Sequence, residues 1–228
     1  MKNLGIYYIN LDARADKDKA ARDQLSTLSI PFKRIRAVPD KEISSPRVDY
    51  RYSHLISAVK QSHVNACLEF LESKNDFALI LEDDFKLDLS KFEENISDII
   101  DSMKHKTINF LQIGYLEFND TKSGTHLERI ARILLEKLFR FYFFVKNPLS
   151  DVVPRNIRWG AQAYLIDKRG AECLVNLIDI YHQNPMDLEL RIISKNSEAN
   201  ENYFRMARLK RNLVPQDSNF KSDIQGVY

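Results

Sequence analysis

The chain has 228 residues, 44% apolar and 29% charged, with 13 Phe and 10 Tyr; this excludes disorder and suits one folded domain with an unusually aromatic interior or ligand surface. A net charge of +2 gives no general case for nucleic-acid binding, although local basic patches can still grip phosphate groups. The start, MKNLGIYYINLDARADK, lacks the long apolar core and small-residue cleavage pattern of a signal peptide, which sets the expectation of a cytoplasmic protein. Cys67 and Cys173 are far apart, sit in apolar helical patterns and form no CxxC pair, so they read as core thiols. With six glycines and neither GxGxxG nor GxxxxGK[ST], a Rossmann dinucleotide site and a P-loop are disfavoured, and any nucleotide site must hold its phosphates by other groups.

In chain order, LGIYYI (4–9) predicts a buried strand, ADKDKAARDQLSTL (15–28) a helix and FKRIRAV (32–38) a second strand. A polar loop, 45–53, precedes a helix over 54–73, whose stripe of Ile56, Val59, His63, Ala66, Cys67 and Phe70 follows three-and-four spacing. FALIL predicts a central strand, 91–103 a helix and 108–114 another strand. Segment 126–145 combines apolar residues on most of its circumference with Arg129, Arg132, Lys137 and Arg140. Internal charge argues against a spanning helix, leaving an amphipathic helix at a bilayer or partner surface, or burial against the sheet. WGAQAYLID (159–167) predicts a later strand, 168–181 its helix, and 184–194 a short helix with Asn184 as cap and Pro185 first; 208–224 closes the chain with a strand and a polar tail. The alternation predicts an α/β sandwich, a single domain over 1–228 with a largely parallel sheet, in which ligands lie beyond the carboxyl ends of the strands.

FALILEDDF (77–85) ends such a strand in three consecutive carboxylates. Desolvation and mutual repulsion both oppose ionising them there, unless a divalent cation with phosphate oxygens on its far side offsets the charge. On an extended backbone Glu82 and Asp84 point one way, to share a metal or to divide the work between a metal and a sugar or ribose hydroxyl, and Asp83 the other, toward a neighbouring basic group; turn capping is the bland alternative.

INLDARADK (9–17), QSH (61–63), ALILEDDF (78–85), GAQAYLIDKRGAECL (160–174), PMD (185–187) and VPQDSNFKSDI (214–224) resemble, in order and spacing, the lipooligosaccharide-type glycosyltransferases of glycosyltransferase family 25. The resemblance implies a GT-A fold that moves a hexose, often galactose, from a UDP-sugar to a saccharide acceptor, commonly with Mn²⁺ (or Mg²⁺). It places the acidic motif on Glu82, Asp83 and Asp84, with Glu82 and Asp84 as metal ligands. The strand-one motif falls on Asn10, Leu11, Asp12 and Arg14, with Lys17 where an arginine is usual, and the Ser-His pair on Ser62 and His63. Asn10, Asp12, Arg14, Ser62, His63 and Asp83 are the expected donor-binding residues. Ala58 and Val59 replace the family's usual glycine and cysteine.

An inverting transfer needs a base near the acceptor hydroxyl, and the resemblance puts PMD on that side, making Asp187 the first candidate. Asn184 and Asp187 also match a capping pair, and Glu189 and Asp151 are weaker substitutes. Arg155 and Arg158 are candidates for phosphate or acceptor contact, and Trp159 and Tyr164 for sugar platforms. The competing classes are another metal-dependent phosphotransfer enzyme and a non-catalytic carbohydrate-binding or scaffold protein.

Overall fold

The computed structural model describes residues 3–44, 52–115, 152–154, 157–196, 204–210 and 212–217. Segment 126–145, Asp151 and Arg155 lie outside the described residues.

Seven strands form one sheet: β1 (Leu4–Asn10), β2 (Phe32–Arg36), β3 (Phe77–Glu82), β4 (Phe110–Gly114), β5 (Val152–Pro154), β6 (Ala163–Asp167) and β7 (Met206–Leu209), in the order β2-β1-β3-β6-β4-β7-β5. β1 is parallel to β2 and β3, and β4 to β7; β6 is antiparallel to both β3 and β4, and β5 to β7. The majority direction is thus parallel, with β6 reversed in the centre. The carboxyl ends of β1, β2, β3, β4 and β7 consequently share one edge with the start of β6.

Helices α1 (Ala15–Leu25), α2 (Ser53–Glu72), α3 (Leu89–His105), α4 (Lys168–Leu177) and α5 (Met186–Asn196) flank the sheet. One core unites α1 and α3 with one sheet face through Leu25, Phe92, Ile96, Met103, Leu79 and Leu111; the other unites α2, α4 and α5 with the opposite face through Phe70, Leu174, Leu190, Ile80 and Ile166. The buried stripe of α3, Phe92, Ile96, Ile99, Ile100 and Met103, recurs at helical spacing. Each of these large side chains contributes roughly 1.5–3 kcal/mol by leaving water. Asp88 caps α3 by accepting from the Lys91 amide, and Asp167 caps α4 by accepting from that of Gly170.

Boundaries move from the sequence expectation where local hydrogen bonding changes. β6 starts only at Ala163, because residues 158–162 form a turn in which Gly160 adopts φ 96°, a conformation open to glycine at low cost. α4 ends at Leu177 and α5 begins at Met186. β5 had no signal, being three residues on an edge. Cys67 is buried and Cys173 half-buried, both free thiols.

Candidate functional site

A cleft of ≈ 660 Å³ opens at the carboxyl ends of β1, β2 and β3. The ends of β1 and β2 supply Asp12 and Arg36, α1 supplies Lys17, the 3₁₀ turn Asp40–Glu42 closes one rim, α2 brings Ala58, Val59, Ser62 and His63, and β3 brings Glu82, Asp83 and Asp84. Ser62 fixes a wall by accepting from the Val38 amide at 2.8 Å while donating to the Ala58 carbonyl at 2.7 Å.

The three acids diverge. Glu82 is the last residue of β3, so strand alternation stops there and the chain turns at Asp83 and Asp84. Asp83 accepts from Asn10 Nδ2 at 2.8 Å and faces Lys17 Nζ at 3.0 Å; the Lys17 side chain is only 2% exposed. Asp84 Oδ2 accepts from Gln216 at 2.6 Å and lies 3.9 Å from Lys17 Nζ. Asp84 therefore shares one ammonium with Asp83 while staying close enough to Glu82 for that carboxylate to be the foremost charge acting on it. Burial pushes the Asp83 carboxyl above its ordinary range against the pull of Lys17 and Asn10. Burial, followed by the Glu82 charge, pushes Asp84 up to about 6.

Glu82 faces α2 instead. His63 Nε2 lies 3.3 Å from its Oε1, and His63 Nδ1 lies 3.1 Å from the Tyr164 hydroxyl. The Cys67 thiol neighbours the same hydroxyl. Tyr164 is fully buried, with Phe110 stacked on it at 4.7 Å between centroids, so it is not the sugar platform the sequence allowed. An ionised Glu82 can only accept, which assigns the His63 proton to Nε2; a neutral ring then accepts at Nδ1 from Tyr164. Burial and the partners Cys67 and Glu82 hold the tyrosine well above its ordinary range, so it remains a donor.

Two arginines that the sequence reading did not single out grip Asp12 beside the cleft. Arg34 donates to Asn10 Oδ1 at 2.8 Å and to Asp12 at 2.7 Å, and Arg36 to Asp12 at 2.8 Å and to Glu42. They hold the Asp12 carboxyl below its usual range. Their position two residues apart on FKRIR, one strand from NLD, was the signal available. Gln216 arrives because residues 214–217 run antiparallel to the acidic turn: Lys86 N donates to Pro215 O and Asp217 N to Asp84 O. That strap crosses Gly114, where an added Cβ would stand 2.5 Å from the Val214 carbonyl oxygen.

A family model described as glycosyltransferase family 25 (LPS biosynthesis protein) matches residues 3–189. The chain belongs to glycosyltransferase family 25. Its mixed sheet flanked by helices is GT-A-like, and the chain is a glycosyltransferase by membership. Among solved structures, a glycosyltransferase involved in the glycosylation of the major capsid of PBCV-1 superposes with TM-score 0.50 at 10% identity, covering 94% of each chain. S. aureus TarS 1–349 gives TM-score 0.46 at 7% identity, covering 95% of this chain and 60% of that one. Mouse xyloside xylosyltransferase 1 gives 0.36 at 11%, covering 96% and 86%. No curated protein matches.

Of the residues the family pattern singles out, Asp12, Ser62, His63, Glu82, Asp83 and Asp84 line the cleft and Asn10 lies directly behind it. Arg14 is turned onto Asp16, at 3.0 Å, and is not part of the cleft wall. Asp187, 5% exposed, lies in the first turn of α5 and accepts from the amides of Leu188 at 2.9 Å and Gly160 at 3.3 Å. Since the Glu82 amide donates to Gln162 O at 2.9 Å, the 158–162 turn ties Asp187 to the acidic end of β3.

Among the described residues, no three His, Cys, Asp or Glu side chains converge into a metal cage. The set fits a hard cation that draws its other ligands from substrate phosphates and water. Glu82 lines the cleft, and Asp84 Oδ1 is buried without a hydrogen-bond partner, a desolvation cost that a cation would offset. Asp83 does not fit, because Lys17 and Asn10 engage its two oxygens. No helix among the described residues is long and apolar enough to cross a membrane.

Proposed function

We propose that the chain transfers a hexose, galactose being the first expectation, from a UDP-sugar to a saccharide acceptor of a lipooligosaccharide or related surface glycan, with inversion. The observation that carries this reading is the cleft itself: all three acids and the Asp12, Ser62 and His63 of the family pattern line one cavity at the carboxyl edge of the sheet. Its size suits a nucleotide-sized ligand.

Glu82 and Asp84 hold Mn²⁺ or Mg²⁺ in this proposal, with Asp83 reserved for Lys17. When bound, the ion stabilises charge developing on the diphosphate leaving group. His63 orients Glu82, Ser62 fixes the wall beside α2, and Asp12, gripped by Arg34 and Arg36, shapes the nucleoside entrance together with Asn10. Arg14 serves only through the local backbone, whose carbonyl Asn10 bonds. Asp187 accepts the proton of the attacking acceptor hydroxyl, while the two amides on its carboxylate fix its orientation. Residues 1–228 form one catalytic domain in this proposal, with segment 126–145 as a peripheral contact to anionic lipid; flotation of the intact protein with anionic vesicles tests that contact.

The deciding experiment is a screen of UDP-sugars against varied saccharide acceptors with and without Mn²⁺, reading both free UDP and the glycosidic product. Turnover of a nucleotide without a sugar, with UDP-sugars ignored, would favour a phosphotransfer enzyme instead.

A further inference from the structure

The far side of the same sheet edge holds a second concentration of charge that the donor cleft does not use. Gln112 of β4 pairs with Tyr164 of β6 on one side and Arg208 of β7 on the other, so their side chains share the face covered by α2 and α5. The Gln112 amide braces the turn before β6: Nε2 donates to the carbonyls of Arg158 and Gly160 at 3.1 and 2.6 Å, and Oε1 accepts from the Arg158 amide at 2.8 Å. Arg158 is thereby fixed two residues before the amide that bonds Asp187.

Both guanidinium groups lie against Tyr115, Arg158 at 5.2 Å and Arg208 at 5.8 Å from the ring centroid. Arg208 is 7% exposed. Its Nη1 donates to the Leu209 carbonyl at 3.1 Å, while its Nε is buried with no hydrogen-bond partner. Among the described residues no carboxylate pairs with either arginine. Burial, then the neighbouring Arg158 charge, lowers the Arg208 pKa, and an unmatched buried cation of this kind costs stability unless a ligand supplies the counter-charge. A planar guanidinium presents paired donors to carboxylate or phosphate oxygens.

Resting on the glycosyl-transfer reading above, we infer that Arg158 and Arg208 form an anion subsite beside Asp187, and that the acceptor is an anionic saccharide bearing a carboxylate or phosphate ester. The position separates it from the donor: β7 is three strands from β3, about 14 Å at ~4.8 Å per strand. The donor's diphosphate, anchored at the β3 acids, falls short of it. A saccharide unit between the reacting hydroxyl and its charged group spans the difference.

Trp159, the chain's single tryptophan, adjoins Arg158 and stacks under Arg191 at 4.4 Å, so its fluorescence reports on the subsite. The intact protein is titrated with a hexuronate, a hexose phosphate and the uncharged hexose, each with and without saturating UDP. The expected result is a saturable response to at least one charged sugar and none to the neutral one. That response persists with UDP bound, weakens as salt rises from ~0.05 to ~0.5 M, and needs at least tenfold more ligand in Arg158→Gln. Arg208→Lys, which keeps the charge but loses the fork, weakens it also, and circular dichroism checks its fold. Response to the uronate or the phosphate alone identifies which group is recognised. Equal responses to charged and neutral sugars, an unaltered Arg158→Gln, or displacement by UDP each overturn the subsite. UDP that fails to bind the intact protein counts separately, against the glycosyl-transfer reading.

Discussion

The Tyr164 hydroxyl stands 3.1 Å from His63 Nδ1 while His63 Nε2 stands 3.3 Å from Glu82, so a fully buried tyrosine selects the tautomer with which the histidine addresses the cleft. Tyr164→Phe removes the donor at Nδ1 and keeps the stacked ring. ¹⁵N spectra of His63 are expected to show the Nε2–H tautomer in the intact protein and a mixture in the variant. Transfer is expected to fall about tenfold, the lower end for losing a partner that orients a ligand-bearing group. Unchanged spectra would remove Tyr164 from the site and leave it a packing residue.

Asp84 sets stability against function. Its pKa is raised to about 6, above the unfolded value, so the folded state binds the proton more tightly than the unfolded chain. The Asp84 contribution to stability is greatest below the ordinary carboxylate range and is lost as pH rises through about 6. Asp84→Asn is expected to melt roughly 2–4 °C above the intact protein at pH 7.5, the shift expected of about 1 kcal/mol in a chain of this size. The difference should vanish near pH 4. A lower melting temperature at pH 7.5 would show that the carboxylate is compensated in the free protein.

Removing both proposed cation ligands separates binding from folding. Calorimetric titration of UDP into the intact protein is expected to tighten at least tenfold with Mn²⁺, and Glu82→Ala with Asp84→Ala to abolish that dependence in a folded protein. Metal dependence that survives in the double variant would move the cation, or dispense with it.

Lys17 is the counter-ion of the cluster, 2% exposed in its side chain and 3.0 Å from Asp83. Lys17→Met leaves Asp83 buried with Asn10 as its remaining side-chain partner among the described residues, and the expected loss is about 3–5 kcal/mol by denaturant unfolding. Lys17→Arg, which supplies the residue usual in the family, should recover most of it. Equal stability of the Met variant would mean that Asp83 is folded in its neutral form.

The sequence exposed the layered fold because its long elements are periodic: the 54–73 expectation became Ser53–Glu72, and FALIL became the centre of β3. The expectation that Asp83 faces a basic group agrees with its contact to Lys17, although the strand ends at Glu82 and the turn, not alternation, sets that direction. Asp84 escaped that logic because the strand ends at Glu82, and the next residue but one follows a turn onto Lys17 and Gln216. Arg34, Arg36 and Arg208 were equally hard to foresee: each acts across a strand pairing, and single-sequence periodicity carries no register between distant strands. The reversed β6 was hidden for the same reason, since a fully buried strand reads alike in either direction.

Asp187 is expected to act on the acceptor rather than the donor. Its carboxylate accepts from Gly160 and Leu188, which fixes its orientation beside the turn that carries Arg158 and Trp159. Asp187→Asn keeps the size and most of the hydrogen-bonding capacity but removes the proton acceptor. Saturated transfer should therefore fall roughly a hundredfold or more, the usual scale for general-base catalysis, while UDP-sugar affinity changes little. The Gly160 bond also gives Asp187 a structural duty, so melting temperature is measured in parallel; an asparagine oxygen can still accept from that amide, and a shift of only a few degrees is expected. A stable Asp187→Asn protein with near-normal saturated transfer would exclude the base, and a donor-affinity loss as large as the rate loss would place the carboxylate on the nucleotide-sugar side of the site.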